Sequence, residues 1–246
     1  APVLTLSGIS VRNPSARDSL TNVNLTVHAH EILGIAGVSG NGQSALASVI
    51  SGLRRPDSGS IQVDGEEILT PDPKTMIKAG VGRIPEDRHH DGIVGAMSVA
   101  ENMVIERLDD PEVQSNGLLN RQAMAANAES LSQAYDVRGP GINARARLLS
   151  GGNIQKLILA RVFEQGARLI LANQPIRGLD MGAAAEVSRR LLEARAGGAG
   201  VLLISEDLDE ILGLADRIMV IHDGQLTEVT SRNREDIGLK MAGEHT

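Results

Sequence analysis

The amino-acid sequence predicts an α/β protein with a mostly parallel sheet, an antiparallel β subdomain near the N-terminus and an inserted helical subdomain. Apolar and polar residues alternate over 4–11 and 23–27, which is typical of half-buried antiparallel strands. Further along, short apolar runs alternate with helical patterns, which predicts parallel strands with helices on both faces of the sheet. Within this alternation, residues 91–139 show only the helical pattern, so we expect them to form an insertion.

The single elements follow from apolar periodicity and from turn residues. The apolar run 32–36 predicts a buried strand, and a glycine-rich turn separates it from a predicted helix over 45–53. The other predicted strands cover 61–65, 81–84, 169–172, 201–204 and a hairpin around Asp223-Gly224. The other predicted helices start near residue 70 and cover 99–108, 121–135, 153–163, 183–195 and a short stretch after residue 204.

Composition narrows the classes of function. The net charge of −7 and the pI near 5.4 argue against nucleic acid or anionic lipid as the main partner. The chain has no cysteine, which excludes disulfides and thiolate metal sites and fits the cytosol. No apolar run is long enough to cross a bilayer, so we expect no direct membrane insertion. The first residue is Ala1 and not a methionine, which suggests a fragment or a processed chain.

The strongest motif is a phosphate-binding loop with the sequence GVSGNGQS over residues 37–44. Its glycines let backbone N–H groups approach an anion, and the dipole of the following helix favours negative charge there. The spacing fits the P-loop pattern G-x-x-x-x-G-K-[ST] at every fixed position but one. The exception is Gln43, which stands where a lysine would reach the β- and γ-phosphates.

A second motif, LSGGNIQK over residues 149–156, opens another predicted helix. A serine and two glycines ahead of a helix N-terminus again suit a phosphate. As a bare tripeptide, Ser-Gly-Gly is usually only a cap or a turn. Here its position supports a phosphate-binding role, because it follows the phosphate loop and precedes the apolar strand 169–172.

Taken in order, the loop, the helical insert, the LSGG motif, the apolar strand and the turn Gly178-Leu179-Asp180 resemble an ATP-binding cassette (ABC) ATPase domain. The resemblance covers essentially the whole chain. Local detail is most similar to the second cassette of tandem sugar and nucleoside importer ATPases, with the nucleoside (basic membrane lipoprotein-type) branch nearest. That detail comprises GNGQS at 40–44, IPEDR at 84–88, NQP at 173–175 and RGLD at 177–180.

The resemblance implies one P-loop NTPase domain with a RecA-like core over residues 1–246. The implied parts are a nucleotide-binding core with its antiparallel β subdomain at 1–90 and 154–230, a helical subdomain with the signature motif at 91–153, and a C-terminal tail at 231–246. ATP and Mg²⁺ are the implied cofactors, with Ser44 and Asn173 as weak metal ligands. The loop residues implied to bind the nucleotide are Gly37, Ser39, Gly40, Asn41, Gly42, Gln43 and Ser44.

Five departures from the family pattern fall on positions that carry chemistry, so we expect ATP hydrolysis by this domain to be poor or absent. A neutral hydrogen bond is worth about 1 kcal/mol against roughly 1.5–3 for a charge-assisted one, so losing the lysine should weaken nucleotide binding about tenfold or more. An amide has no useful basicity, and a general base contributes roughly 10²–10⁴-fold. The five are Gln43 for the loop lysine, Asn173 for the Walker B aspartate, Gln174 for the glutamate that polarises water, Glu206 for the switch histidine and Glu86 for the Q-loop glutamine. Val11 lies near the position of the aromatic residue that stacks on adenine.

Other family features are intact, including Asp180 in its turn. In ABC dimers the signature motif of one cassette closes on the P-loop of the other, which implies a contact in trans with a partner's nucleotide. The residues implied to make it are Ser150, Gly151, Gly152 and Asn153. The implied partners are a second cassette, expected to be the N-terminal half of the same protein, and permease transmembrane subunits. The expected location is cytoplasmic, peripheral at the inner face of the cell membrane.

Two alternatives stay open at this point. The chain could be a coupling module that binds nucleotide without hydrolysis, or an ABC protein outside transport, for example one acting on ribosomes. The acidic charge and the PEDR stretch argue against the second. His28 and His30 alternate on a predicted strand and could form a metal pair, but we interpret them as surface residues. The stretch 86–91, rich in His and Asp, could form a metal cluster, but the resemblance places it at the Q-loop junction. The transported solute is not encoded here, because a cassette does not touch it.

Overall fold

The computed structural model describes residues 1–13, 18–115 and 117–243, which form two compact units. The first unit contains Ala1–Arg83, Ala167–Pro175 and the chain from Ser188 onward. The second contains Ile84–Gly166 and Ile176–Val187. The phosphate loop therefore belongs to the first unit and the signature motif to the second.

The described residues form twelve strands and eight α-helices. The strands are β1 (Pro2–Val11), β2 (Leu20–His28), β3 (Ile32–Ala36), β4 (Ser58–Val63), β5 (Glu66–Glu67), β6 (Val81–Ile84), β7 (Gln114–Ser115), β8 (Leu118–Leu119), β9 (Leu169–Asn173), β10 (Gly200–Ser205), β11 (Arg217–His222) and β12 (Gln225–Val229). The helices are α1 (Gln43–Ile50), α2 (Pro73–Lys78), α3 (Val99–Val104), α4 (Arg121–Ala134), α5 (Gly151–Glu164), α6 (Met181–Ala196), α7 (Leu208–Leu214) and α8 (Arg234–Met241).

A six-stranded sheet with the order β12-β11-β3-β10-β9-β6 forms the centre of the first unit. β3 pairs in parallel with β10 and with β11, and β9 pairs in parallel with β10, while β12 is antiparallel to β11. All residues of β3, β9 and β10 are buried, which is the pattern of strands covered on both faces. The predicted α/β fold with a mostly parallel sheet is confirmed.

A second sheet, with the order β2-β1-β4-β5, is the predicted antiparallel β subdomain. Leu4 pairs with Val27 and Leu6 pairs with Leu25, so the alternating apolar residues of the two strands meet on one face. These side chains are at most 5% exposed and join one apolar core with residues of β3 and α1. Burying each such side chain contributes about 1.5–3 kcal/mol to folding.

The second unit is mainly helical, and buried polar contacts hold its chain in place. Asn102 is completely buried, and its side chain accepts from the N–H of Val94 at 2.7 Å and donates to the carbonyl oxygens of Val94 and Ser98 at 3.0 and 2.9 Å. Arg161 of α5 donates to the carbonyl oxygen of Gly92 at 2.9 Å. These contacts fix the segment that enters α3.

Three local predictions differ from the structure. Helix α3 ends at Val104 and not at residue 108, and the stretch predicted as a polar loop contains the hairpin of β7 and β8. The predicted C-terminal tail contains α8, which Asn233 caps and which buries Ile237 and Met241, four residues apart on one face. Of the helices that the structure describes, none is long and apolar enough to cross a membrane.

Candidate nucleotide loop and signature segment

Three strand ends of the large sheet define the first candidate site. Ala36 pairs with Ser205, and Asn173 pairs with Ile204, so β3, β9 and β10 end side by side. In open parallel sheets, ligands bind at the carboxyl ends of the strands. The residues that follow these ends are Gly37 after β3, Gln174 after β9 and Glu206 after β10. The structure thus brings the phosphate loop and three of the predicted site residues, Asn173, Gln174 and Glu206, to one edge of the sheet.

The side chain of Gln43 closes across its own loop. It is only 6% exposed, its Oε1 accepts from the N–H of Asn41 at 3.0 Å, and its Nε2 donates to the carbonyl oxygen of Val38 at 2.7 Å. A Cβ on Gly37 would lie 2.7 Å from Nε2 of Gln43, so only glycine permits this approach. The amide that replaces the lysine is therefore bonded to the loop.

Asn41 joins the loop to the hairpin of β11 and β12. Its Oδ1 accepts from the N–H of Asp223, and its carbonyl oxygen accepts from the N–H of Gly224, both at 2.9 Å. Its Nδ2 donates to the carbonyl oxygen of Val38 at 2.8 Å. The predicted nucleotide contact of this side chain stays a prediction, and the structure gives it a scaffolding role that the sequence did not reveal.

Amides stand where the family pattern implies acids. Asn173 is 8% exposed, and among the described residues its buried Oδ1 has no hydrogen-bond partner. Gln174 adopts a left-handed conformation with φ 49°, and its Oε1 accepts from the N–H of Glu206 at 3.3 Å. The carboxylate of Glu206 belongs to an exposed residue. Asn173 and Gln174 therefore supply neutral oxygens and no base.

ATP with Mg²⁺, the cofactor pair of ABC ATPases, fits this arrangement only in part. The unpartnered Oδ1 of Asn173 and the hydroxyl of exposed Ser44 are oxygen donors of the kind Mg²⁺ accepts, but neither carries the charge of a carboxylate. In a P-loop the backbone N–H groups cradle the phosphates, and here the N–H of Asn41 already donates to Gln43. One loop N–H of the kind that contacts phosphate is therefore already paired with Gln43. The valine at position 11 is 1% exposed inside the core and offers no face to a base.

A buried acid, Glu210, lies one turn beyond the switch position. Glu210 is only 6% exposed. Ser205 Oγ donates to its Oε2 at 2.6 Å, while its Oε1 has no hydrogen-bond partner among the described residues. Burial raises the pKa of Glu210 to about 7, the Ser205 bond opposes this rise, and the charge of Asp207 adds to it.

Glu210→Gln should flatten the pH dependence of stability. Because the folded pKa of about 7 exceeds the ordinary value of 4.5, the wild type loses stability as the pH rises from 4.5 to 7. At 1.36 kcal/mol per pKa unit, the free energy of unfolding falls by about 3 kcal/mol over this pH range. A glutamine still accepts from Ser205 but does not titrate. Urea unfolding at about pH 5 and about pH 8 measures the difference, and Asp209→Asn, an exposed acid on the same turn, is the control. Equal pH dependence in the Gln variant and the wild type would contradict the prediction.

The signature segment starts α5 in the second unit. Ser150 is exposed and caps the helix, and its Oγ accepts from Asn153 Nδ2 at 2.8 Å and from the N–H of Asn153 at 3.4 Å. Oδ1 of Asn153 accepts from the N–H of Arg138 at 2.7 Å. Because Asn153 donates to Ser150, the hydroxyl hydrogen of Ser150 remains available to another acceptor.

Charged contacts fix the turn that holds Asn153. Lys156 Nζ donates to the carbonyl oxygen of Asp136 at 2.9 Å and to its Oδ2 at 2.8 Å, and Arg138 Nε pairs with Asp136 Oδ1 at 2.8 Å. The hydrogen bonds from Lys156 and Arg138 lower the pKa of Asp136. The orientation of Ser150 thus also depends on Asp136 and Arg138, which lie outside the motif.

The remaining predicted site residues also belong to the second unit. Glu86 forms an ion pair with Arg177, and both line a cavity of about 470 Å³ whose lining residues are mostly charged. Asp180 Oδ1 accepts from the N–H of Ala183 at 2.9 Å, at the start of α6. Over the described ranges, no group of three or more His, Cys, Asp or Glu could hold a metal ion.

Comparison with known proteins identifies relatives of this chain. The ABC transporter family model matches residues 20–177. The glucose import ATP-binding protein TsgD13 of Haloferax volcanii is 44% identical over 98% of the chain and 45% of its own length. The nucleoside import ATP-binding protein NupA of Lactococcus lactis subsp. cremoris is 40% identical over 98% of the chain and 48% of its own length. The chain spans about half the length of these relatives.

Solved structures agree on the fold. The dimeric ATP-binding cassette MJ0796, in a post-hydrolysis state with ADP and phosphate, superposes with a TM-score of 0.76 at 20% identity, covering 93% of this chain and 99% of that one. An ATP-binding subunit of an ABC transporter superposes with a TM-score of 0.77 at 19% identity, covering 98% and 99%. The family match, which covers more than half of its residues, shows that the chain belongs to the ABC transporter family.

Proposed function

We propose that this chain is the nucleotide-binding domain of an importer for a sugar or a nucleoside, and that it serves a partner cassette more than its own loop. In this role its signature segment completes the partner's ATP site. Its own loop binds Mg-ATP weakly and hydrolyses it poorly or not at all. The observation that carries the proposal is the contrast between an exposed, oriented Ser150 and a Gln43 bonded back to its loop.

The chemistry at the sheet edge supports the part of the proposal that concerns the chain's own site. Hydrolysis needs a group that accepts a proton from water and cations that neutralise the phosphates. Gln174 offers an amide oxygen that already accepts from the backbone N–H of Glu206, and Glu206 brings a negative charge to the position of the family's switch histidine. Neither residue supplies what the reaction needs.

The relatives support the importer assignment. The names of two of them state glucose import and nucleoside import, and both carry about twice the length of this chain. We propose that the partner cassette is the N-terminal half of the same protein and that both halves bind permease subunits at the cytoplasmic face of the membrane. The negative charge of the chain fits a protein partner better than nucleic acid.

An ATPase assay of the chain alone and in a mixture with the partner cassette tests this function. We expect negligible phosphate release from the chain alone and a rate for the mixture well above the sum of the two parts. Calorimetry with Mg-ATP separates weak binding from none. Turnover by the chain alone, abolished by Gln43→Ala, would overturn the proposed division of roles. Co-sedimentation with ribosomes in place of a permease would overturn the transport assignment.

A further inference from the structure

Like the amide of Gln43, the carboxylate of Asp18 lies at the phosphate loop. Oδ1 of Asp18 accepts a hydrogen bond from the N–H of Ala45 at 3.1 Å, in the first turn of α1. The N–H groups of a first helical turn have no partner within the helix, and together with the helix dipole they favour an anion. The carboxylate of Asp18 is such an anion, supplied by the chain itself.

The backbone around Asp18 fixes this contact. Asp18 adopts a left-handed conformation with φ 61°, and a Cβ on Gly42 would lie 2.9 Å from the carbonyl oxygen of Ser19. The hydroxyl of Ser19 accepts from the N–H of Asn13 at 3.0 Å, and Thr21 donates its N–H to the carbonyl oxygen of Gly224 at 2.9 Å. The segment that carries Asp18 is thus bonded on both sides while it packs against the loop.

We propose that Asp18 is a specificity-determining residue of this loop, whose carboxylate occupies the anion position at the start of α1 and opposes phosphate-bearing ligands. The carboxylate of Asp18 uses the N–H of Ala45, and the amide of Gln43 uses the N–H of Asn41. A phosphate has to displace both groups, and it also meets the negative charge of Asp18 at close range. If the site is open in only a fraction of the molecules, the measured affinity falls in proportion to that fraction.

This role predicts opposite changes in ligand affinity and in the stability of the free chain. Removing the charge of Asp18 should tighten anion binding, because the competitor and its repulsion are lost. It should also lower the melting temperature of the free chain slightly, because a favourable interaction with the helix N-terminus is lost. A residue with only a structural role would weaken both.

The test is a titration of the chain with Mg-ATP, and separately with inorganic phosphate, by calorimetry. Asp18→Asn keeps an acceptor oxygen and removes the charge, and Asp18→Gly accepts the left-handed backbone without strain. The matched control is Asp57→Asn, because Asp57 also accepts a backbone N–H, that of Arg12 at 2.7 Å, and is not bonded to the loop. Each variant is also made in a Gln43→Lys background, where binding is stronger and easier to measure.

We expect Asp18→Asn to bind Mg-ATP on the order of tenfold more tightly than its parent, in either background, with no change for Asp57→Asn. The proposal is overturned if neither Asp18 variant binds more tightly, if no binding is measurable in either background, or if Asp57→Asn gains as much. The measurement uses this chain alone. A negative result here therefore leaves the proposed role of the signature segment intact, and failure of the partner assay leaves this inference intact.

Discussion

Ser150→Arg in this chain is expected to abolish the ATPase activity that a competent partner cassette shows in its presence. The serine is exposed at the N-terminus of α5, and because Asn153 donates to its oxygen, its hydroxyl hydrogen remains available to another acceptor. Losing one such donor to a developing oxyanion costs about 10²–10³-fold in rate, and the bulk of arginine also blocks approach to the helix N-terminus. The readout is phosphate release by the mixture, compared with that of the partner alone.

Two variants separate this effect from damage to the fold. Ser150→Thr keeps a hydroxyl that can cap α5 and should retain most of the activity. Gln133→Arg places the same cationic side chain at an exposed position of α4 in the same unit and should change nothing. Full activity of Ser150→Arg with a normal melting temperature would show that the segment does not act on the partner.

Restoring the family residues at the sheet edge should restore binding first and hydrolysis second. Gln43→Lys releases the N–H of Asn41 and adds a cation, so we expect affinity for Mg-ATP to rise about tenfold while phosphate release stays slow. Three further changes supply the metal ligand, the base and the switch residue of the family pattern: Asn173→Asp, Gln174→Glu and Glu206→His. The complete set should raise hydrolysis by roughly 10²–10⁴-fold over Gln43→Lys alone.

The order in which nucleotide binding and hydrolysis return shows which residues limit each of them. Gln174→Glu without Gln43→Lys should stay inactive, because we expect the loop to bind the nucleotide too weakly. Gln122→Glu makes the same chemical change at an exposed position of α4 and serves as the control for added charge. If Gln43→Lys alone gave hydrolysis at the rate of a competent cassette, the amides at 173 and 174 would not be the limiting defect.

The sequence predicted correctly those elements whose pattern lies within a few consecutive residues. The fully apolar strands β3, β9 and β10 and the glycine-rich turn before α1 each carry their signal in consecutive residues, and all lie where the patterns predicted them. The prediction failed for the end of α3, for the β7–β8 hairpin and for α8. These elements are short, and contacts with the rest of their unit stabilise them more than their own propensities do.

The sequence by itself determined which residue types stand at the loop, the strand ends and the signature segment, because motifs depend on spacing along the chain. Only the tertiary structure decided what their atoms do. Gln43 bonds to Val38 and Asn41, Asp18 reaches the first turn of α1 from another strand connection, and Glu210 is buried with a raised pKa. Hydrogen bonds and burial depend on which groups approach within a few ångströms, and residues far apart in sequence acquire that proximity only when the chain folds.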